Sequence, residues 1–473
     1  MFSNELWQKS GVSTYSIDQS IRFNDSDSPI LKKTYSGAGT EETFTLSMWV
    51  KRGAIGAGLG ASNLGLTLFS GGADVSNYGE IVFRSSGHST QDCLEFYNST
   101  SGSTNMMLKT NRLFRDPSAW YHLVFVMDTT NAVSSERLRM YINGVRETSF
   151  ATATYPAKDT VPNFNTATEH GIGGFAVSTD TRFFDGYLAE IVFLDGTATD
   201  CNSFGEYSDD GIWRPKDVSD LTFGTNGFHI DGRDSADLGD DESGQGNDYT
   251  TVNLASHDQV LDSPTNNFAV YNILYNVGDV DFPTYSEGNL SVDFNYFGKR
   301  SPVSTFALPT DSDAYCEFYI KTSASGTHNS GVGIGQGDAN NAGNVALTNG
   351  VTYNFNGYKH TGDGTATTFG NSYTAGDIIG VYFDQSDNEV DFYKNNTLEG
   401  SLSLSSYSGD LFFLVANNTT NQQVIIANFG QDDTFAGNKT SGSAGASDSS
   451  GNGKFYYTRI SGAKALCSKS LGS

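Results

Sequence analysis

Short runs of alternating apolar and polar residues, each ended by Gly, Asn, Asp or Ser, dominate this chain. Alternation with a period of two puts apolar side chains on one sheet face and polar ones on the other. Residues 43–51 (TFTLSMWVK), 121–127, 138–142 and 188–194 follow it, and each predicts a strand. Asn143-Gly144, after the third run, is a two-residue hairpin signal because both residues tolerate positive φ. Further strands are expected at 290–294, 315–320, 378–383, 390–395, 412–416 and 424–429. No helical stripe of any length interrupts them. The pattern predicts an all-β chain with sandwich-like strand spacing.

Residues 231–248 (DGRDSADLGDDESGQGND) break the alternation with acidic and turn-forming residues. The expected organisation is an N-terminal docking segment (1–14), a first sandwich (15–222), an acidic connector (223–284) and a second sandwich (285–436). Residues 437–473 read as a Gly/Ser linker followed by a strand within 454–467. All four Trp precede residue 220, so the two sandwiches are not simple copies.

Charge narrows the function classes. The chain has 473 residues, with 54 Asp+Glu against 28 Lys+Arg and a net charge of −26. Such a chain repels polyanions, which excludes sequence-general nucleic-acid binding. Aromatic residues make up 13%, enough apolar surface to argue against disorder. No run of 18 apolar residues exists, so no helical membrane span is expected. The N-terminus lacks a basic region followed by an apolar run, so no secretory signal is expected. Cys93, Cys201, Cys316 and Cys467 are far apart with no CxxC pair. They read as buried small hydrophobes of a chain made in a reducing compartment.

Candidate chemistry is sparse. A jelly-roll glycanase needs carboxylates at alternating positions of one strand, so that they face one cleft. The nearest pair, Glu190 and Asp195, is five apart, which puts the two on opposite faces of a regular strand. Glu190 reads as a strand residue at the sandwich edge. His122 lies in an alternating strand beside Trp120 and reads as a strand histidine, not a base. No catalytic residue is assigned and no enzyme is expected. Calcium is the candidate ion, with Asp237, Asp240, Asp241, Asn247 and Asp248 offering oxygens on a Gly-punctuated loop. The competing reading is a solvated acidic connector. Asp128, Asn131 and Asp185 form a weaker second candidate. For glycans, the stretch YNFNGYKH and a nearby tyrosine supply Tyr353, Asn354, Asn356, Tyr358, His360 and Tyr373, read as loop residues. The competing reading is that such aromatics fill β cores. Phe2, Leu6 and Trp7 are the candidate docking residues.

Four motifs occur in the order found in laminin-G-like, concanavalin A-like jelly rolls. They are FTLSMWV (44–50), WYHLVFV (120–126), LRMYING (138–144) and GYLAEIVF (186–193). The first block therefore resembles that family. The second block resembles SPRY-type sandwiches through GVGIG (331–335), GDIIGVYFD (376–384) and VDFYKNN (390–396). Asn396 stands where that family usually has Gly. The combination, with connector motifs FGTNGF (223–228), LGDD (238–241), DSPTNNF (262–268) and GAKALC (462–467), resembles virion proteins of tailed, marine-type bacteriophages. That resemblance implies a tail fibre, head fibre or decoration subunit on the virion surface, made in the host cytoplasm. It would adhere to host surface glycans without catalysis. Its partners would be other virion proteins and copies of itself. A purely structural capsid or tail subunit, or a secreted glycan-active enzyme with a carbohydrate-binding module, are the alternatives.

Overall fold

The computed structural model describes residues 15–55, 65–84, 91–178, 182–275, 283–294, 301–323, 330–340, 348–362, 366–417, 422–441, 446–457 and 461–471. Phe2, Leu6 and Trp7 lie outside the described residues. The chain is nearly all β, with one short α-helix, Ser468–Leu471, and four single-turn 3-10 helices among the described residues.

Two antiparallel sheets form the first sandwich. One runs in the order Val145–Arg146, Leu138–Ile142, Trp120–Asp128, Thr43–Arg52, Gly186–Asp195, Ser20–Phe23, Gln259–Val260, with Phe228–Ile230 also paired to Gly186–Asp195. The other runs Phe150–Thr154, Ser103–Leu113, Cys93–Thr100, Asn77–Phe83, Leu66–Asp74, Glu169–Ile172, Ile30–Thr34, Thr250–Val252. Alternation sets what lies between them. In Thr43–Arg52, Phe44, Leu46, Met48 and Val50 enter the core with Phe69, Phe96 and Phe125. Asn143 (φ 48°) and Gly144 (φ 79°) make the expected tight hairpin turn.

The opposite face of the first sheet is also covered. Val124, Val126, Val192 and Leu194 pack under Cys201, Phe204, Val218 and Phe223. Ser47, Trp49 and Lys51 are buried as well. Residues 197–226 thus act as a third layer. Alternation in Thr43–Arg52 foresees a solvent-facing outer side, whereas Val124, Val126, Val192 and Leu194 on the neighbouring strands need this cover.

The acidic stretch folds back onto the first sandwich. Phe228–Ile230, Thr250–Val252 and Gln259–Val260 add strands to both of its sheets. The second sandwich has one sheet ordered Thr284–Ser286, Ser291–Phe294, Gln423–Asn428, Ala314–Thr322, Ile378–Asp384, Glu389–Lys394, Thr397–Ser403. The other is ordered Ala366–Thr368, Tyr358–His360, Thr348–Asn354, Gly331–Asn340, Leu411–Ala416. At the hairpin after Glu389–Lys394, Asn395 (φ 47°) and Asn396 (φ 67°) both adopt the left-handed conformation. Asn is the non-glycine residue that tolerates it best, which explains how it replaces Gly there.

Residues 454–457 and 461–467 form turns and isolated bridges, such as Phe268 with Cys467, where a strand is expected from the sequence. They strap across the second sandwich instead, where Phe455, Ala463 and Ala465 pack on Phe268 and Tyr315. All four cysteines are buried free thiols.

Buried charges join the two sandwiches. Lys51 Nζ donates to Asp262 Oδ2 (2.7 Å), Asn267 Oδ1 (2.8 Å) and the Phe268 carbonyl (2.8 Å), so all three ammonium protons are used. Arg22 Nη1 meets Asp432 Oδ2 at 2.7 Å, Nη2 lies 3.4 Å from Asp258, and Nε lies 3.4 Å from Glu287. Both cations come from the first sandwich. Asp432 and Glu287 belong to the second.

Candidate functional site

The outward face of the second sheet carries a cleft of about 480 Å³, within the range of small-ligand sites. Strand register builds it. Leu94 and Phe96 point into the core, so Glu95 and Tyr97 point out. Glu80 lies opposite Tyr97, and Tyr97 lies opposite Met107. Glu95 lies opposite Lys109, which lies opposite Thr152. Tyr78, Arg84, Thr104 and Arg182 also line the cleft, and Glu80 lies beneath Arg182.

The carboxylates are the deepest charged groups. Arg182 Nη1 reaches Glu80 Oε2 at 2.8 Å. Arg84 Nε donates to Glu95 Oε2 at 2.6 Å, and Lys109 Nζ lies 3.2 Å from Glu95 Oε1. Burial by itself would push the Glu95 carboxyl up, but Arg84 and Lys109 outweigh it and hold it below its usual range. Glu95 is therefore a carboxylate at neutral pH and holds no proton to donate. Burial, reinforced by Glu80, pushes the Tyr97 phenol well above its usual range, so it stays a hydroxyl. Tyr97 Oη donates to Tyr78 Oη, and the two rings meet edge to face at 5.4 Å. Arg84 lies over Tyr97 at 5.3 Å, and Arg182 lies over Phe175 at 4.4 Å. The cleft can orient a polar ligand against fixed charges and aromatic edges. Glu95 thus offers no proton and Tyr97 no phenolate.

His122 is not a base either. Its Nε2 lies 2.9 Å from Ser47 Oγ, the spacing of a nucleophile pair. Trp213 Nε1, however, donates to His122 Nδ1 at 3.0 Å. An indole N–H can only donate, so the neutral ring carries its proton on Nε2 and donates it to Ser47. Burial pushes the imidazole down to about 3.

Glu190 corrects its sequence reading. It sits at a bulge in Gly186–Asp195, which has paired strands on both sides, and not at an edge. Its φ of 50° turns the side chain to Tyr15 Oη (2.6 Å) and His229 Nε2 (3.0 Å). Asp195 instead accepts from the Thr40 and Asn226 amides and Asn165 Nδ2. The two carboxylates serve different networks.

The acidic loop holds itself together. Asp241 accepts from the His229, Ser243 and Asn247 amides and from Ser243 Oγ. Asp248 accepts from the Asp241 amide, and Asp237 accepts from the Gly239 amide. Asn247 Nδ2 donates to the Thr225 and Gly227 carbonyls, which points its amide nitrogen inward. Asp240 stands beside Asp248 and Asp237 and is raised above its usual range, burial first and those neighbours next. Among the described residues, no group of three or more His, Cys, Asp or Glu is arranged to hold a metal. Asp128, of the weaker candidate, bonds within its own turn to Thr130 and Asn131, while Asp185 is buried elsewhere, against Gly53.

The stretch YNFNGYKH, read as a loop, is a hairpin of Thr348–Asn354 and Tyr358–His360. Tyr353 is fully buried, and Tyr373 meets it at 4.9 Å inside the second core. Asn354 and His360 are buried as well, while Asn356 and Tyr358 sit at the turn. Period two sends Val351, Tyr353 and Phe355 inward, so the tyrosine faces are taken by the core. The cleft residues went unnoticed because Glu80, Glu95 and Lys109 lie on three separate strands. The available signal was outward Tyr and Glu at period two, Tyr78 and Glu80 in Asn77–Phe83 and Glu95 and Tyr97 in Cys93–Thr100, with Arg84 just past the first strand.

Residues 24–201 match the Laminin_G_3 family, described as the concanavalin A-like lectin/glucanases superfamily. This laminin-G-like segment contains every lining residue of the cleft. No curated protein matches the chain. Mouse laminin α1 domains LG4-5 are similar at 9% identity over 90% of this chain and 92% of theirs, with a TM-score of 0.31. The SPRY domain of human HERC1 is similar at 16% identity over 29% of this chain and 87% of its own, with a TM-score of 0.27. Domain 4 of AbnA, a GH43 extracellular arabinanase from Geobacillus stearothermophilus in complex with arabinotriose, is similar at 19% identity. That pair covers 33% of this chain and 63% of the other, with a TM-score of 0.23.

Proposed function

We propose that this chain binds glycans without turning them over, through the cleft on the laminin-G-like sandwich. The observation that carries the reading is the cleft's composition. Tyrosine rings, guanidinium groups and carboxylates converge on one open volume of about 480 Å³. Sugars are held by such aromatic surfaces together with fixed polar groups. An ionised Glu95, a protonated Tyr97 and a histidine of the wrong tautomer support a non-enzymatic role. The reading needs no cofactor.

The finer placement, on the surface of a tailed-phage virion, rests on the resemblance of the connector motifs at 223–228, 238–241, 262–268 and 462–467. In that setting many copies would turn weak sites into firm adhesion.

A glycan array probed with the full chain tests the reading. Thr104 is exposed and lines the cleft, and Trp is well tolerated in strands, so Thr104→Trp fills the volume without disturbing the core. Expected is binding to a defined glycan class that falls at least tenfold in Thr104→Trp at unchanged melting temperature. Equal binding by both proteins would move the site elsewhere, and no binding at all would refute the function.

A further inference from the structure

We propose that the cleft is built for a sugar bearing a carboxylate, a uronic-acid unit; this rests on the glycan-binding reading above. Three cations, Arg84, Lys109 and Arg182, line it with one carboxylate, Glu95, while Glu80 lies buried beneath Arg182, in a molecule whose net charge is −26. The arrangement in depth matters more than the count. Side-chain exposure is 0% for Glu80 and 3% for Glu95, but 7%, 13% and 11% for Arg84, Lys109 and Arg182. The carboxylates form the floor and the cations face the opening. A ligand entering the cleft therefore meets positive charge first.

Stacking pre-organises that charge. Arg182 lies 4.4 Å over Phe175 and Arg84 lies 5.3 Å over Tyr97, which fixes the guanidinium planes. A planar, fixed guanidinium suits a planar carboxylate. A carboxylate offers these cations charge-assisted hydrogen bonds that a neutral sugar lacks. The overall charge limits the ligand's size. A long polyanion feels repulsion from the whole molecule, whereas a single carboxylate within roughly 10 Å of the cleft is shielded from most of it. The fit is therefore to one acidic unit, terminal or isolated along a chain.

Calorimetric titration of the full chain with short oligosaccharides tests this. The probes are neutral oligosaccharides ending in a single galacturonate, mannuronate or glucuronate unit, each against its methyl ester, plus a sulfated neutral oligosaccharide. Expected is binding of at least one free acid, at least tenfold weaker binding of its ester, and at least a tenfold loss in Lys109→Gln. Equal binding of acid and ester, or preference for the sulfated sugar, overturns the carboxylate assignment while leaving glycan binding intact. An unchanged affinity in Lys109→Gln overturns the placement. Failure of every probe, acid or neutral, overturns this inference, and if the array is also blank it overturns the glycan reading itself. The acid–ester comparison uses the unaltered protein, so it decides the question even if Lys109→Gln does not fold.

Discussion

Single side chains in this protein are placed by what they can donate or accept. His122 shows it through one indole N–H, which fixes its tautomer and removes it from catalysis. Glu317 shows it through the strap. Its carboxylate is buried, forms no ion pair among the described residues, and accepts from the Tyr456 amide at 2.7 Å and the Tyr457 amide at 3.0 Å. Asn428 Nδ2 and Tyr315 Oη stand at 3.5 and 3.4 Å. Burial pushes this carboxyl from 4.5 up to about 7, against those four donors. The folded chain thus keeps a proton that the unfolded chain releases between pH 4.5 and 7. Glu317 contributes stability that is full below pH 4.5 and lost as pH rises through about 7. The expected slope amounts to at most on the order of 3 kcal/mol across that window. Denaturation of the unaltered protein and of Glu317→Gln, between pH 4 and 8, checks it. The slope should shrink in the variant, and an identical slope would show that Glu317 does not carry it.

At the scale of elements, alternation was a sound guide to strands and a poor guide to their surroundings. The runs at 43–51, 121–127 and 378–383 are strands because their inward residues are uniformly apolar. Short partners such as Ser20–Phe23 and Phe228–Ile230 were not legible. Three or four residues carry too little periodicity, and pairing with the central strand Gly186–Asp195 supplies what the local sequence lacks. The same limit explains the site. Tyr353 looked available because Asn and Gly around it signal a turn, yet its strand position sends it into the core. The cleft exists only through register across several strands, which single-strand patterns do not encode. In the acidic stretch, composition alone does not reveal that Asp241 caps backbone amides of its own loop.

For the whole molecule, Arg22 ties the first sandwich to Glu287 and Asp432 of the second, and Lys51 fixes the segment 262–268 between them. Asp432 is buried, and although burial would raise its carboxyl, Arg22 outweighs that and holds it low. Removing one partner of such a pair strands the other charge, at a typical cost of about 3–5 kcal/mol. Arg22→Met should therefore lower the melting temperature sharply or split one calorimetric transition into two. Adding Asp432→Asn should recover part of the loss. A change within about 0.5 kcal/mol, the size of an ordinary surface substitution, would mean that the junction is not held by these charges.

The central claim is that the outward cleft of the laminin-G-like sandwich holds a glycan. A crystal structure of the full chain soaked with the strongest glycan from the array tests it most directly. The account expects the sugar between Tyr97, Lys109 and Arg182, above Glu80 and Glu95. Sugar density confined to the second sandwich or to the acidic loop, with the cleft empty, would contradict it.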